Sequence, residues 1–89
     1  RFLAAPDLMV EIVSPEQSQF ELVEKVGWCV QNGVQLAWLI DPDGQEILEF
    51  MPGASPRMLP QDGALDGREV LPGFRCPVEE VFSWLREQS

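Results

Sequence analysis

One carboxylate interrupts an otherwise apolar run. Glu11 stands inside Leu8-Met9-Val10-Glu11-Ile12-Val13, and Lys25, the chain's only lysine, follows on what reads as a helix. An acid in a strand can hold a divalent cation. An ammonium beside it can steady charge building on a phosphate oxygen during ester hydrolysis. Those two groups are the minimal kit for metal-dependent phosphodiester cleavage. Each also has a plainer reading. Glu11 can lie near a sheet edge, solvated or paired with an arginine. Lys25 follows Glu21 by four residues, the favourable order for a surface helical pair worth about 0.3–0.5 kcal/mol.

Side chains alternate along a strand, so Asp7, Met9, Glu11 and Val13 share one face, and Leu8, Val10 and Ile12 the other. A carboxylate in a strand buried on both faces is costly unless it is paired, protonated or metal-bound. Asp7 cannot share an ion with Glu11. Four residues at about 3.3 Å each put them roughly 13 Å apart, whereas Mg²⁺ takes its oxygens at about 2.1 Å. A second acidic ligand has to come from another segment. Asp7 is read as ending the strand or hydrogen-bonding a neighbouring backbone group.

Other chemistries find little support. The chain has no histidine, no glycine-rich phosphate loop and no nucleophile elbow. Trp28, Trp38 and Trp84 are not interleaved with basic residues, so they read as core or rim aromatics rather than base-stacking platforms. Cys29 and Cys76 are too few and too far apart for a zinc motif. Both are read as structural thiols, Cys29 as a buried one, with no disulfide, which suits a reducing, cytoplasmic compartment. No stretch approaches the roughly 20 apolar residues of a membrane span.

The formal charge is −9, from 15 acidic and 6 basic residues. That argues against broad nucleic-acid binding, which draws on lysine and arginine to displace counterions. Arg1, Arg57, Arg68, Arg75 and Arg86 form no basic run. A metal, or a basic surface elsewhere, would have to offset the local charge for DNA to bind. The chain starts at Arg1 and is read as one domain over residues 1–89, the C-terminal part of something longer.

The elements that must position Glu11 and Lys25 can be read in order. Leu8–Val13 is a buried strand, ended by Ser14-Pro15. Ser18 and Glu21 form a capping box that opens a helix running to about Asn32. Phe20, Val23, Val26, Gly27 and Val30 fall on one side of it, and Gly33 is a fitting residue after its end. Leu36–Ile40 is a second buried strand, stopped by the turn Asp41-Pro42-Asp43-Gly44. Glu46–Met51 returns as a hairpin partner. Pro52–Gly67 reads as a loop or loose strand pair, Arg68–Leu71 as a short strand and Pro72-Gly73 as a turn. Pro77 suits the first position of a last helix, whose Val78, Val81, Phe82 and Leu85 make one apolar face. The order is β-α-β-β-β-α, with the first two strands parallel through the helix.

Residues Ala5 to Pro42 resemble the Uma2 family of restriction-endonuclease-like proteins. The resemblance sits in Pro6-Asp7-Leu8-Met9-Val10-Glu11-Ile12-Val13-Ser14-Pro15, then Glu24-Lys25, Gly33-Val34 and Trp38-Leu39-Ile40-Asp41-Pro42. Val70-Leu71-Pro72-Gly73-Phe74 and Phe82 resemble its C-terminal segment. The blocks keep the family's spacing and cover most of the chain.

The family is placed in the PD-(D/E)XK nuclease superfamily. The resemblance therefore implies an α/β, restriction-endonuclease-like core, with a mixed sheet, a crossover helix and a C-terminal helix. It implies Mg²⁺ (or Mn²⁺) as cofactor and DNA as substrate. Glu11 matches the metal-binding and catalytic Glu. The superfamily's usual lysine lies two residues after that Glu, where this chain has Val13; the family moves it to the following helix, and Lys25 matches. The first metal-binding Asp would lie on a strand upstream of this chain. Cys29 and Ala37 stand where the family has tyrosines.

The expected activity is Mg²⁺-dependent endonucleolytic hydrolysis of DNA by Glu11 and Lys25. The alternative is an inactive nuclease-fold protein that uses its acidic surface as an interaction module. A homodimer would suit cleavage of two strands, although no residue pattern carries it.

Overall fold

A computed structural model describes residues 2–4 and 7–88. Pro6, the first residue of the motif above, lies outside them, as does Arg1. Seven strands and two helices occur among the described residues: β1 (Phe2–Ala4), β2 (Leu8–Ile12), α1 (Gln19–Gln31), β3 (Leu36–Asp41), β4 (Glu46–Phe50), β5 (Arg57–Met58), β6 (Ala64–Asp66), β7 (Arg75–Pro77) and α2 (Val78–Gln88). Strands β1 to β5 form one mixed sheet in chain order, and β6 pairs with β7 in a two-stranded sheet.

The apolar run that carries Glu11 lies inside the sheet. β2 pairs antiparallel with β1 and parallel with β3, with Leu8 opposite Leu36 and Glu11 opposite Leu39. The ladder continues one residue further through Val13 N–H to the Ile40 carbonyl at 2.8 Å. β1 is an element that the sequence reading did not identify, and it flanks β2 on the side away from β3. The hairpin of β3 with β4 is antiparallel, with Asp41 opposite Glu46. Its turn is held by Asp41 Oδ1, which accepts from the backbone N–H groups of Asp43 and Gly44.

The sheet separates two apolar layers. Met9, Ala37, Leu39 and Phe50 face α1 and meet Leu22, Val26 and Val30. Leu36, Trp38, Ile40 and Ile47 face the opposite way and meet Val78 and Phe82 of α2, with Leu59 and Leu65. The period-two alternation of β3 thus supplies both layers from consecutive residues.

α1 begins where its capping signal predicts. Ser18 is the N-cap, and its side chain accepts from the Glu21 N–H. Asn32 closes the other end, and Gly33 follows with φ +126°, a region that favours glycine. The buried stripe is rotated from the expected one. Leu22, Val26 and Val30 are buried, whereas Phe20 is exposed. Residues four apart lie on one helix face, so 22, 26 and 30 form a straighter seam than a set that begins at 20.

The segment after β5 departs most from expectation. Arg68–Leu71 is a turn, not a strand. Leu71 N–H bonds the Gly67 carbonyl at 2.9 Å, and Arg68 N–H bonds Asp66 Oδ1 at 2.8 Å. Arg68 takes φ +53°, a left-handed conformation that costs a non-glycine residue roughly 1 kcal/mol or more. Pro77 ends β7, and α2 starts one residue later at Val78.

Two predictions follow from these elements. A Cβ on Gly67 would overlap the carbonyl oxygen and Cβ of Leu71, so Gly67→Ala should destabilise by about 1–3 kcal/mol through overpacking, read by urea unfolding. Cys76 is half-buried, and burial together with the nearby Glu80 carboxylate pushes its thiol above the ordinary value. Both causes disfavour the thiolate, so iodoacetamide should alkylate Cys76 more slowly than an unstructured peptide thiol at pH 8, with the rate rising only at higher pH.

Candidate active site

Glu11 is buried, with 1% of its surface exposed. The sheet dictates this. β2 is an inner strand, paired along both edges, and the Glu11 side chain points into the layer shared with Met9 and Leu39 on the α1 side. β2 lies one strand in from the edge strand β1, but Glu11 is not solvated there, and the cation it meets is a lysine.

α1 supplies the counter-charge. Leu22 and Val26 pin the helix to the sheet, and Lys25 projects beside them. Lys25 Nζ lies 3.2 Å from Glu11 Oε2, with the lysine side chain 46% exposed. The ammonium thus bridges the buried carboxylate and solvent. The carboxylate's other oxygen, Oε1, is buried and has no hydrogen-bond partner among the described residues. An ionised carboxylate carries about four acceptor sites, so this one is satisfied on one side only. An unpaired buried acceptor costs about 1–3 kcal/mol. The geometry keeps that cost in place beside the chain's only lysine.

The orphaned oxygen is the test of whether a divalent cation fits. A hard cation takes carboxylate oxygens, and Mg²⁺ commonly uses one or two carboxylates and keeps several waters. Glu11 Oε1 suits one such position. Among the described residues no group of three or more His, Cys, Asp and Glu could hold a metal ion, so further protein ligands would have to come from elsewhere. Asp7 is not one of them. It is exposed and marks the start of β2, where its backbone carbonyl accepts from the Gln35 and Leu36 N–H groups at 3.0 Å.

A family model described as "Uma2: Putative restriction endonuclease" matches residues 1–79. The chain belongs to the Uma2 family. A crystal structure from Anabaena variabilis ATCC 29413, described as a putative nuclease belonging to DUF820, shares its α/β fold. It superposes with a TM-score of 0.82 at 32% sequence identity, over 93% of this chain and 47% of that one. The chain therefore spans about half the length of that protein. A search of curated proteins finds no match.

This Uma2 chain holds a second buried carboxylate, which the sequence reading missed. Glu49 of β4 is 2% exposed, on the α2 side of the sheet. Its Oε2 accepts from the Trp38 indole N–H at 3.1 Å, and its Oε1 accepts from Arg68 at 2.9 Å and Arg57 at 3.4 Å. Unlike Glu11, it leaves neither oxygen bare. The available signal was the same as for Glu11: an acid flanked by Leu48 and Phe50 in a short apolar strand. The tryptophans divide accordingly. Trp38 is buried and bonded, and Trp28 and Trp84 are exposed.

The cost of the Glu11 arrangement gives a stability test. Removing one partner of a buried pair leaves an uncompensated charge, whereas replacing both with apolar residues is often neutral or stabilising. Lys25→Ala should lower stability by about 1–3 kcal/mol, a range discounted because the ammonium is half exposed. Glu11→Leu combined with Lys25→Leu should unfold at the same or higher denaturant concentration than the wild type.

Proposed function

We propose that this chain carries part of the active centre of a DNA endonuclease that hydrolyses phosphodiester bonds with Mg²⁺ or Mn²⁺. The observation that carries the proposal is Glu11 Oε1, buried and without a partner among the described residues, within a carboxylate whose other oxygen meets Lys25 at 3.2 Å. Membership of a family described as "Putative restriction endonuclease" supports the same reading. Glu11 would hold the cation. The chemistry supplied at that position would be polarisation of the phosphate and activation of water.

The remaining chemistry belongs to this chain's own residues. The sheet fixes Glu11 so that its carboxylate needs little reorganisation, and such preorganisation is the main source of electrostatic catalysis. Lys25 keeps its ammonium at the boundary between the buried acid and solvent. From there it can face a phosphate oxygen as negative charge accumulates. Its flexible stem suits a point charge that must serve two partners.

The second reading is an inactive nuclease-fold protein that acts as an interaction module. The net charge of −9 and the residues Cys29 and Ala37, where the family has tyrosines, favour it. Among the described residues no helix is long and apolar enough to cross a membrane, so neither reading involves a helical membrane anchor in this segment.

Plasmid cleavage separates the two readings. With Mg²⁺ or Mn²⁺, the protein carrying this chain should nick or linearise supercoiled DNA. Glu11→Gln and Lys25→Ala should each slow the reaction by about 10²-fold or more. Mn²⁺ should also raise the melting temperature of the wild type and not that of Glu11→Gln, because a ligand bound only to the folded state stabilises it. An inert wild type, or variants that cut equally well, would leave the interaction module as the reading that stands.

A further inference from the structure

We propose that Arg57 and Arg68, braced by the buried Glu49, form a binding site for a phosphate-type oxyanion on the sheet face opposite Glu11. The site rests on different residues from the Glu11 centre and stands without it.

Charge is the first argument. One carboxylate needs one cation, and Glu49 has two. Glu49, Arg57 and Arg68 sum to one positive charge, offset in part by the Asp66 carboxylate at the Arg68 backbone N–H, in a chain whose total is −9. Two of five arginines converge on one oxygen atom from separate segments, the short strand β5 and the turn after β6. Nothing in the neutralisation of Glu49 requires the second of them.

Donor geometry is the second argument. Arginine and carboxylate commonly meet through two parallel N–H···O bonds. Here the Trp38 indole occupies Glu49 Oε2, so both guanidinium groups are directed to Oε1, each through its Nη2. No other side-chain hydrogen bond engages either guanidinium among the described residues. The side chains are 58% and 41% exposed. Each therefore keeps several N–H donors turned to solvent, while its position is fixed by a buried anchor. Forked donors held in this way match the oxygens of a phosphate better than mobile surface lysines do.

Backbone placement is the third argument. Arg68 sits at φ +53°, in a turn closed by Asp66 Oδ1 and by the bond from Leu71 N–H to the Gly67 carbonyl. A non-glycine residue holds that conformation only where its surroundings enforce it, and such positions cluster at binding sites. Beside the cluster, the Phe74 ring lies 5.9 Å from Trp38 and is partly exposed. It gives the site an apolar wall.

The test is an NMR titration of the arginine Nε–Hε resonances with inorganic phosphate at constant ionic strength. In the wild type the Arg57 and Arg68 resonances should shift saturably, and those of Arg75 and Arg86 should not. Arg57→Ala and Arg68→Ala should each weaken phosphate binding by about tenfold or more, the loss of one charge-assisted bond. Arg57→Lys keeps the charge without the fork, and should weaken binding while leaving the amide spectrum and the melting temperature close to wild type. That variant decides the matter if Arg68→Ala does not fold. A short single-stranded oligonucleotide, added with chelator, distinguishes the sources. If it moves the same two resonances, the oxyanion is a nucleic-acid phosphodiester; if inorganic phosphate alone moves them, it is a small phosphate, and the site stands in either case. Shifts shared by all the arginines, no saturable shift at Arg57 and Arg68, or unaltered affinity in Arg57→Lys would overturn the site.

Discussion

A carboxylate removed from water must be matched by donors or a cation, or it works against the fold. This chain places two such carboxylates in one sheet, on opposite faces. Glu11 looks into the α1 layer and Glu49 into the α2 layer. Moving an ion into a protein interior costs several kcal/mol even after relaxation. For a domain of this size that is comparable with the whole stability expected of it, at about 0.05–0.15 kcal/mol per residue. The surrounding elements are therefore constrained by what these two groups need. Lys25 reaches Glu11 from beside the buried stripe of α1, and Arg57 and Arg68 tie the long excursion between β4 and α2 back to β4.

The two carboxylates are matched to different degrees. Glu49 has donors on both oxygens, from an indole and two guanidinium groups. It is a closed network around the carboxylate, of the kind that rigidifies its surroundings, and neither carboxylate oxygen is left without a donor. Glu11 has one half-exposed lysine on Oε2 and nothing on Oε1. A stability optimum would fill that oxygen or remove it. The chain does neither, and leaves that oxygen beside its only lysine. Burial alone does not distinguish the two glutamates. Completeness of hydrogen bonding does.

Much of this architecture was legible from local pattern. Ser18 and Glu21 announced the start of α1, Asp41–Gly44 the hairpin, and the apolar runs at Leu8 and Leu36 the parallel pair at the centre. The residue pair Glu11 and Lys25 could be picked out because an acid in an apolar strand is expensive wherever it occurs, and because the family resemblance named the same two positions. What stayed hidden was non-local. Arg57 and Arg68 looked scattered because they reach Glu49 from 8 and 19 residues away along the chain. β1 is a three-residue strand, too short to show alternation. The Arg68–Leu71 segment has the apolar content of a strand, but Gly67, Asp66 and the left-handed Arg68 close it into a turn through bonds that propensity does not register. Phe20 misled the reading of the helix face, since a large apolar residue near a helix start counts toward a stripe whether or not the sheet lies beneath it.

The same distribution of cations bears on how so acidic a chain could meet a polyanion. Net charge sets the far field, which repels DNA and slows encounter. At physiological ionic strength that field decays over about 8 Å, so contact is governed by what lies within one or two side chains of the phosphate. Lys25, Arg57 and Arg68 are each held at a fixed place by a buried carboxylate, and each still faces solvent. A lysine or arginine on a mobile surface loses rotamer entropy when it captures a phosphate, by up to about 2 kcal/mol. Here part of that ordering is already complete in the folded state. A chain with few cations can then still present positive charge, provided it spends them where the backbone holds them still. In this fold the buried acids both lower the net charge and fix the cations in place.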